Sequence, residues 1–328
     1  MNNANLAEVR EQFRVSSRFN LLDLAPTCSH AMCVTHAIVG ASVETTWYHF
    51  VVPITEGSTL VNSAAAKFSS RNEIRDLIGQ SNLLLNLVRR DLTVRYKRSV
   101  IGFFWSMLNP LILMIILTIV FSSLFRFEGI SHYEVYFLSE YMVFGFFAQT
   151  TAQSMMSLSW NGSLMKRIRV PKSIFAISTT LSGLVNLCLA YIPLFIIMIV
   201  RGAPIRPAIL FLPVAFAIIA IFTLGVSFLL SALAVYFEDV SQIWQVSTMA
   251  LMYMTPIIYP IQIVPYKFYW LIRSNPLTQL FKLARDPVFH GTLPEAHIFL
   301  GSIAIAITSL VIGWFVFHRL SRGFYEHL

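Results

Sequence analysis

The chain has 328 residues, 56% of them hydrophobic and only 12% charged, with a mean hydropathy of +0.67. A soluble domain of this size needs far more charge to stay solvated, which excludes an ordinary water-soluble fold. The net charge of +8 does not point to nucleic acid, because many of the basic residues flank apolar runs and form no soluble patch.

Residues 1–69 stand apart from the rest. They are mixed in polarity, lack a 20-residue apolar run, and show no signal-peptide pattern. Cys28, His30, Cys33 and His36 are metal-ligating types, but their spacing is irregular and favours an unliganded segment over a zinc site. With Cys188 the only other cysteine, there is no disulfide framework. The segment is an unassigned extension, with an early start codon and a regulatory role both open.

At Ser70 the pattern changes. Ser70-Arg71-Asn72-Glu73 fits a capping box, in which serine and glutamate satisfy each other's backbone donors. Ile74, Leu77, Ile78, Leu85, Val88 and Leu92 then share a helical face, with Arg75, Asn82, Asn86, Arg90 and Lys97 elsewhere. The spacing predicts an amphipathic helix within 70–102, basic towards its end, lying in the membrane interface. A soluble amphipathic helix is the alternative, and the adjoining apolar run disfavours it.

A bilayer core of ~30 Å needs about 20 apolar helical residues. Uncharged runs of that length occupy 103–125, 141–160, 173–200, 207–237, 240–266 and 298–317, predicting six spans within 103–328. Asn109-Pro110 predicts a kink in the first. Between the second and third runs lies a short basic loop at 161–172, and Glu238-Asp239 stands where an acidic pair caps the helix of the fifth. The 265–294 stretch, with two apolar segments broken at Asn275-Pro276 and aromatics at Tyr266, Phe268, Tyr269 and Trp270, predicts re-entrant or interfacial helices, against an ordinary loop.

Positive residues near span ends mark the cytoplasmic side. Arg89, Arg90, Arg95, Lys97, Arg98, Lys166, Arg167, Arg169, Lys172, Arg319 and Arg322 fall on one side. The smaller set of Arg126, Arg201, Arg206, Lys267, Arg273, Lys282 and Arg285 falls on the other. Both termini are therefore expected in the cytoplasm.

The runs contain no Asp, Glu, Lys, Arg or His, which argues against an ion-coupled carrier and against a membrane enzyme using buried acid–base groups. No glycine is followed by lysine, so the chain has no phosphate-cradling loop of its own. Uphill transport requires another polypeptide to hydrolyse ATP. In the fifth run Ser241, Gln245, Thr248, Met252, Thr255 and Tyr259 project in one direction at ~100° per residue, with Trp244 at the edge. Hydroxyls and rings together suit a sugar path, while helix–helix bonding is the alternative.

The run from Arg90-Asp91-Leu92-Thr93-Val94-Arg95-Tyr96-Lys97-Arg98 to Trp105 and Asn109-Pro110-Leu111 resembles the membrane subunits of ABC-2 type polysaccharide exporters. So, in order, do Leu164-Met165-Lys166-Arg167-Ile168-Arg169-Val170-Pro171-Lys172, Tyr236-Phe237-Glu238-Asp239-Val240, Thr255-Pro256-Ile257-Ile258-Tyr259-Pro260 and Asn275-Pro276-Leu277. The resemblance covers roughly 75–328. It implies an all-α, six-span permease for O-antigen, capsule or teichoic-acid-like polymers, with no cofactor of its own. It also implies a homodimer working with two copies of a nucleotide-binding ATPase subunit. Arg90, Asp91, Arg95 and Lys97 would belong to a gating helix. Lys166, Arg167, Arg169 and Lys172 would dock the ATPase. Trp244, Gln245, Thr248, Thr255 and Tyr259 are the residues expected along the path. A permease for a drug or small lipid, and a polytopic membrane transferase, are the alternatives.

Overall fold

The computed structural model describes residues 79–96, 108, 111–113, 115–116, 132–162, 165, 170–261 and 264–324, all within the unit Lys67–Leu328. The expectations for 1–69, the cap at 70–73, the kink at Asn109-Pro110 and most of the first run lie outside these residues, as do Lys97, Lys166, Arg167 and Arg169.

Among the described residues the fold is helical, without strands. The helices are α1 (Ser81–Tyr96), α2 (Tyr133–Trp160), α3 (Ser173–Val200), α4 (Leu212–Tyr236, entered through a 3-10 turn at Pro207–Phe211) and α5 (Val240–Met254). Then come α6 (Tyr269–Ser274), α7 (Pro276–Arg285) with a π turn at Asp286–His290, and α8 (Ala296–Leu320). Three are long and apolar enough to cross a membrane: α3, the Pro207–Tyr236 segment and α8.

Burial divides the interior into two apolar clusters. Phe137, Phe147, Tyr191, Phe216 and Phe281 pack at the end of the bundle that holds α7. Leu87, Leu158, Ile174, Phe228, Phe317 and Phe324 pack at the end that holds α1. The most extensive pairing is α4 on α8. It is possible because Gly225 and Gly313 meet there: a Cβ on Gly313 would sit on the Gly225 carbonyl, and one on Gly225 would strike the backbone of Ser309. Small residues let helix backbones approach in this way, and dispersion and hydrogen bonding across the contact replace the hydrophobic drive that lipid does not supply. Ser309 Oγ adds a bond to Phe222 O at 3.1 Å.

Three local expectations need correction. On α1 the buried residue is Leu87, with Leu83 and Leu84 beside it, whereas Leu85 is 53% exposed. The helix lies against α3, and that neighbour selects the face. Asp239 makes no side-chain cap to α5: its φ of −67° and ψ of −18° are helical, not the extended geometry in which a cap side chain folds back. Finally, α5 does not run through the whole of the fifth uncharged run. It stops at Met254 after 15 residues, about 22 Å at 1.5 Å per residue. Thr255 precedes Pro256, whose ring disfavours helical geometry in the residue before it, and Thr255 is extended at φ −97°, ψ 135°.

Beyond the break, Asn275 starts α7. Its Oδ1 accepts from Leu277 N at 3.0 Å, and Pro276 fills the first helical position, where no N–H is missed. The 265–294 stretch thus holds two short helices divided at Asn275-Pro276, with α7 buried against α2, α4 and α8.

Candidate translocation site

Where α1 meets the end of α2 and the start of α3, a cavity of about 430 Å³ is lined by Arg90, Arg95, Ser157, Asn161, Ser178 and Ser182, among others. Arg90 Nη1 donates to Asn161 Oδ1 at 2.9 Å, while its Nε and Nη2 donate to Asp91 Oδ1 at 3.2 and 3.1 Å. Arg95 Nη1 reaches Gln149 Oε1 at 3.4 Å. The hydroxyls of Ser178 and Ser182 each donate to a carbonyl of α3, at 2.9 Å. Their oxygens therefore remain acceptors, while the guanidinium groups supply donors and positive charge. Such a wall suits a hydroxylated, anionic group. Of the expected gating residues, the structure brings together Arg90, Asp91 and Arg95.

Of the expected docking residues only Lys172 is described. Its Nζ donates to Ser321 O and stands 5.1 Å from the centre of the Phe324 ring. Tyr236 Oη donates to Leu320 O at 2.7 Å. The end of the basic loop is thus fastened to the close of α8.

The five path residues do not form one stripe, because the helix ends before the last two. Trp244 Nε1 donates to Thr151 Oγ1 on α2 at 2.9 Å, and its ring stands edge-on to Phe147 at 5.9 Å. Gln245 is exposed, and Thr248 Oγ1 donates to Gln245 O at 2.9 Å. Buried Thr255 donates to Leu251 O at 2.8 Å and accepts from Asn275 Nδ2 at 3.0 Å. Tyr259 Oη donates to Tyr253 O at 2.8 Å, and both rings line an apolar cavity of about 360 Å³ with Phe268 and Leu271.

Ionisable groups do enter the bundle. Helix α2 begins ahead of the uncharged run and carries Glu134 and Glu140. Glu134 Oε1 accepts from Arg201 Nε at 2.8 Å. Burial pushes this carboxyl up, but the bond to Arg201 and its charge outweigh burial and hold it below the ordinary value. Glu140 pairs with Arg285 of α7 at 2.8 Å, both side chains buried. The uncharged runs do not contain this pair. Glu140 lies one residue before the second run, and nothing in the spacing joins it to a residue at 285.

The sequence matches the ABC-2 type transporter family over residues 82–289. The chain belongs to that family. Two O-antigen export system permease proteins RfbA of Klebsiella pneumoniae are similar to this ABC-2 chain. One is 30% identical over 249 residues and the other 31% over 252, in each case 75% of this chain and 95% of the relative. The capsule polysaccharide export inner-membrane protein CtrC of Neisseria meningitidis is 21% identical over 255 residues, 76% of this chain and 95% of that protein. The family match takes in α1 to α7 and so includes both cavities.

Proposed function

We propose that this ABC-2 chain is the membrane-spanning permease of an ATP-driven exporter, moving a lipid-linked polysaccharide outward across the bacterial inner membrane. The observation that carries the reading is the hydroxyl-lined, basic cavity around Arg90 and Arg95 in a chain whose relatives are named as exporters of O-antigen and capsule polysaccharide. An acidic, polyhydroxylated headgroup is the cargo such a wall recognises, by charge through the guanidinium groups and by hydrogen bonds through Ser157, Asn161 and Ser178. With six spans and both termini cytoplasmic, that cavity lies on the intake side. The 161–172 loop then faces a separate ATPase subunit, with Lys166, Arg167 and Arg169 as its contacts and Lys172 bracing it. ATP is hydrolysed on that partner, since this sequence has no phosphate-cradling loop. Two copies of each chain form the working unit, α6 and α7 re-enter the membrane from outside, and Gln245, Thr248 and Tyr259 lie along the path.

The test is deletion in the native host, with purification of the restored protein in gentle detergent. Loss of surface polymer, its return on re-expression, and co-purification of a P-loop ATPase are expected. Normal surface polymer in the deletion strain overturns the cargo, and purification without an ATPase overturns the machine.

A further inference from the structure

The break after α5 releases backbone carbonyls in the 255–259 turn, where Thr255, Pro256 and Ile257 are buried and irregular backbone requires partners from the protein. The partners come from α2. Tyr133 Oη donates to Ile258 O at 2.6 Å, and Tyr136 Oη lies 2.9 Å from Pro256 O and 3.2 Å from Tyr259 O. Tyr136 is itself held, because its oxygen accepts from Arg285 Nη1 at 3.3 Å and its ring lies 5.3 Å from the guanidinium carbon. The same Nη1 is 2.8 Å from Glu140 Oε1, one helical turn along α2 from Tyr136. A continuous line therefore runs from Glu140 through Arg285 and Tyr136 to the carbonyls of the turn. At the opposite end of α7, Asn275 grips Thr255.

We propose that Glu140, Arg285 and Tyr136 are positioning residues that hold the 255–259 turn, and with it Tyr259 and the outer end of the path. The inference rests on the reading of this chain as an exporter permease. Stability alone does not account for the pair. Among the described residues, Glu140 Oε2 and Arg285 Nε have no hydrogen-bond partner, and Asp286 Oδ1 stands 3.6 Å from Arg285 Nε. A buried ion pair left partly unsatisfied is commonly matched or bettered for stability by apolar residues of similar volume. What apolar residues do not reproduce is the directed donor that Arg285 presents to Tyr136. The phenol transmits that constraint, since it accepts from the guanidinium and donates to the turn. The turn also forms one side of the cavity between Tyr253, Tyr259 and Phe268, so a shift of Tyr136 changes the width of that opening.

The experiment uses the purified full complex with Cys28, Cys33 and Cys188 changed to serine and Tyr259→Cys as a reporter. The measurement is its rate of reaction with a maleimide, beside polymer export by the same strains carrying Tyr259. In the reporter background two changes are compared: Tyr136→Phe, which removes one hydroxyl, and Glu140→Met with Arg285→Leu, which removes both charges and keeps the volume. The double change guards against misfolding, because it removes both charges of the buried pair together, and Asp286, which loses its contact to Arg285, is partly exposed. Both are expected to raise the labelling rate about fivefold, the factor by which losing one hydrogen bond favours a local opening. Export per molecule is expected to fall in both while membrane levels and ATPase association stay normal. Labelling at the parent rate in both variants overturns the positioning role whatever the cargo is. Raised labelling with unchanged export overturns the turn's place in the path.

Discussion

At the residue scale, two aromatic side chains expected along the same path have different neighbours. Trp244 donates to Thr151 and packs on Phe147, as a residue that binds two helices together does. Among the described residues, Tyr259 donates to the nearby Tyr253 carbonyl, and it borders a cavity. Trp244→Phe keeps a ring and loses a hydrogen bond, so it should lower stability by about 1 kcal/mol with export per molecule unchanged. Tyr259→Phe loses an exposed bond that water replaces, so it should keep stability and lower export. Thermal unfolding in detergent with export assays of both variants checks this, and a reversed pattern places Trp244 in the path and Tyr259 in the packing.

At the element scale, the contact surface decides what a helix buries. Leu87→Ala on α1 should destabilise by about 2–5 kcal/mol, the range for emptying a buried leucine site, while Leu85→Ala should be close to neutral; thermal midpoints of the two variants decide it. Where α4 crosses α8, Gly313→Ala drives a methyl onto the Gly225 carbonyl and should cost about 1–3 kcal/mol or more. Gly145→Ala on α2 meets nothing within 4 Å and should accumulate normally, as membrane levels would report. Much of this fold was legible in the sequence. The long apolar runs gave α3, α4 and α8 near their observed ends, and Asn275-Pro276 gave the start of α7, because hydropathy and proline geometry are local. Leu87 and the Glu140–Arg285 pair were not legible, since both depend on which helices become neighbours. The end of α5 could have been read: Thr255-Pro256 carries the same proline restriction that was used at Asn275-Pro276. Hydropathy alone makes the run read as continuous, because it stays apolar for longer than a span requires.

At the scale of the whole molecule, the distribution of basic residues predicts a topology that a reporter can test. Alkaline phosphatase fused after Arg126 or Lys282 should be active, and fused after Arg169 or Leu328 inactive. The opposite pattern inverts the orientation and removes the 161–172 loop from the side on which an ATPase works.

The crossing at Gly225 and Gly313 has a mechanical consequence. With no side chain between the two backbones at that point, α4 and α8 have nothing compliant to slide on there. Tyr236 ties the end of α4 to Leu320, and Lys172 at the start of α3 is fastened to Ser321 and Phe324. If the basic loop receives the push of a partner ATPase, α4 and α8 should turn as a single lever, with the give in the structure elsewhere. A short chemical cross-link from α4 to α8 at the level of Ser309 should leave export running. Arrest by that cross-link means that the two helices part company during the cycle.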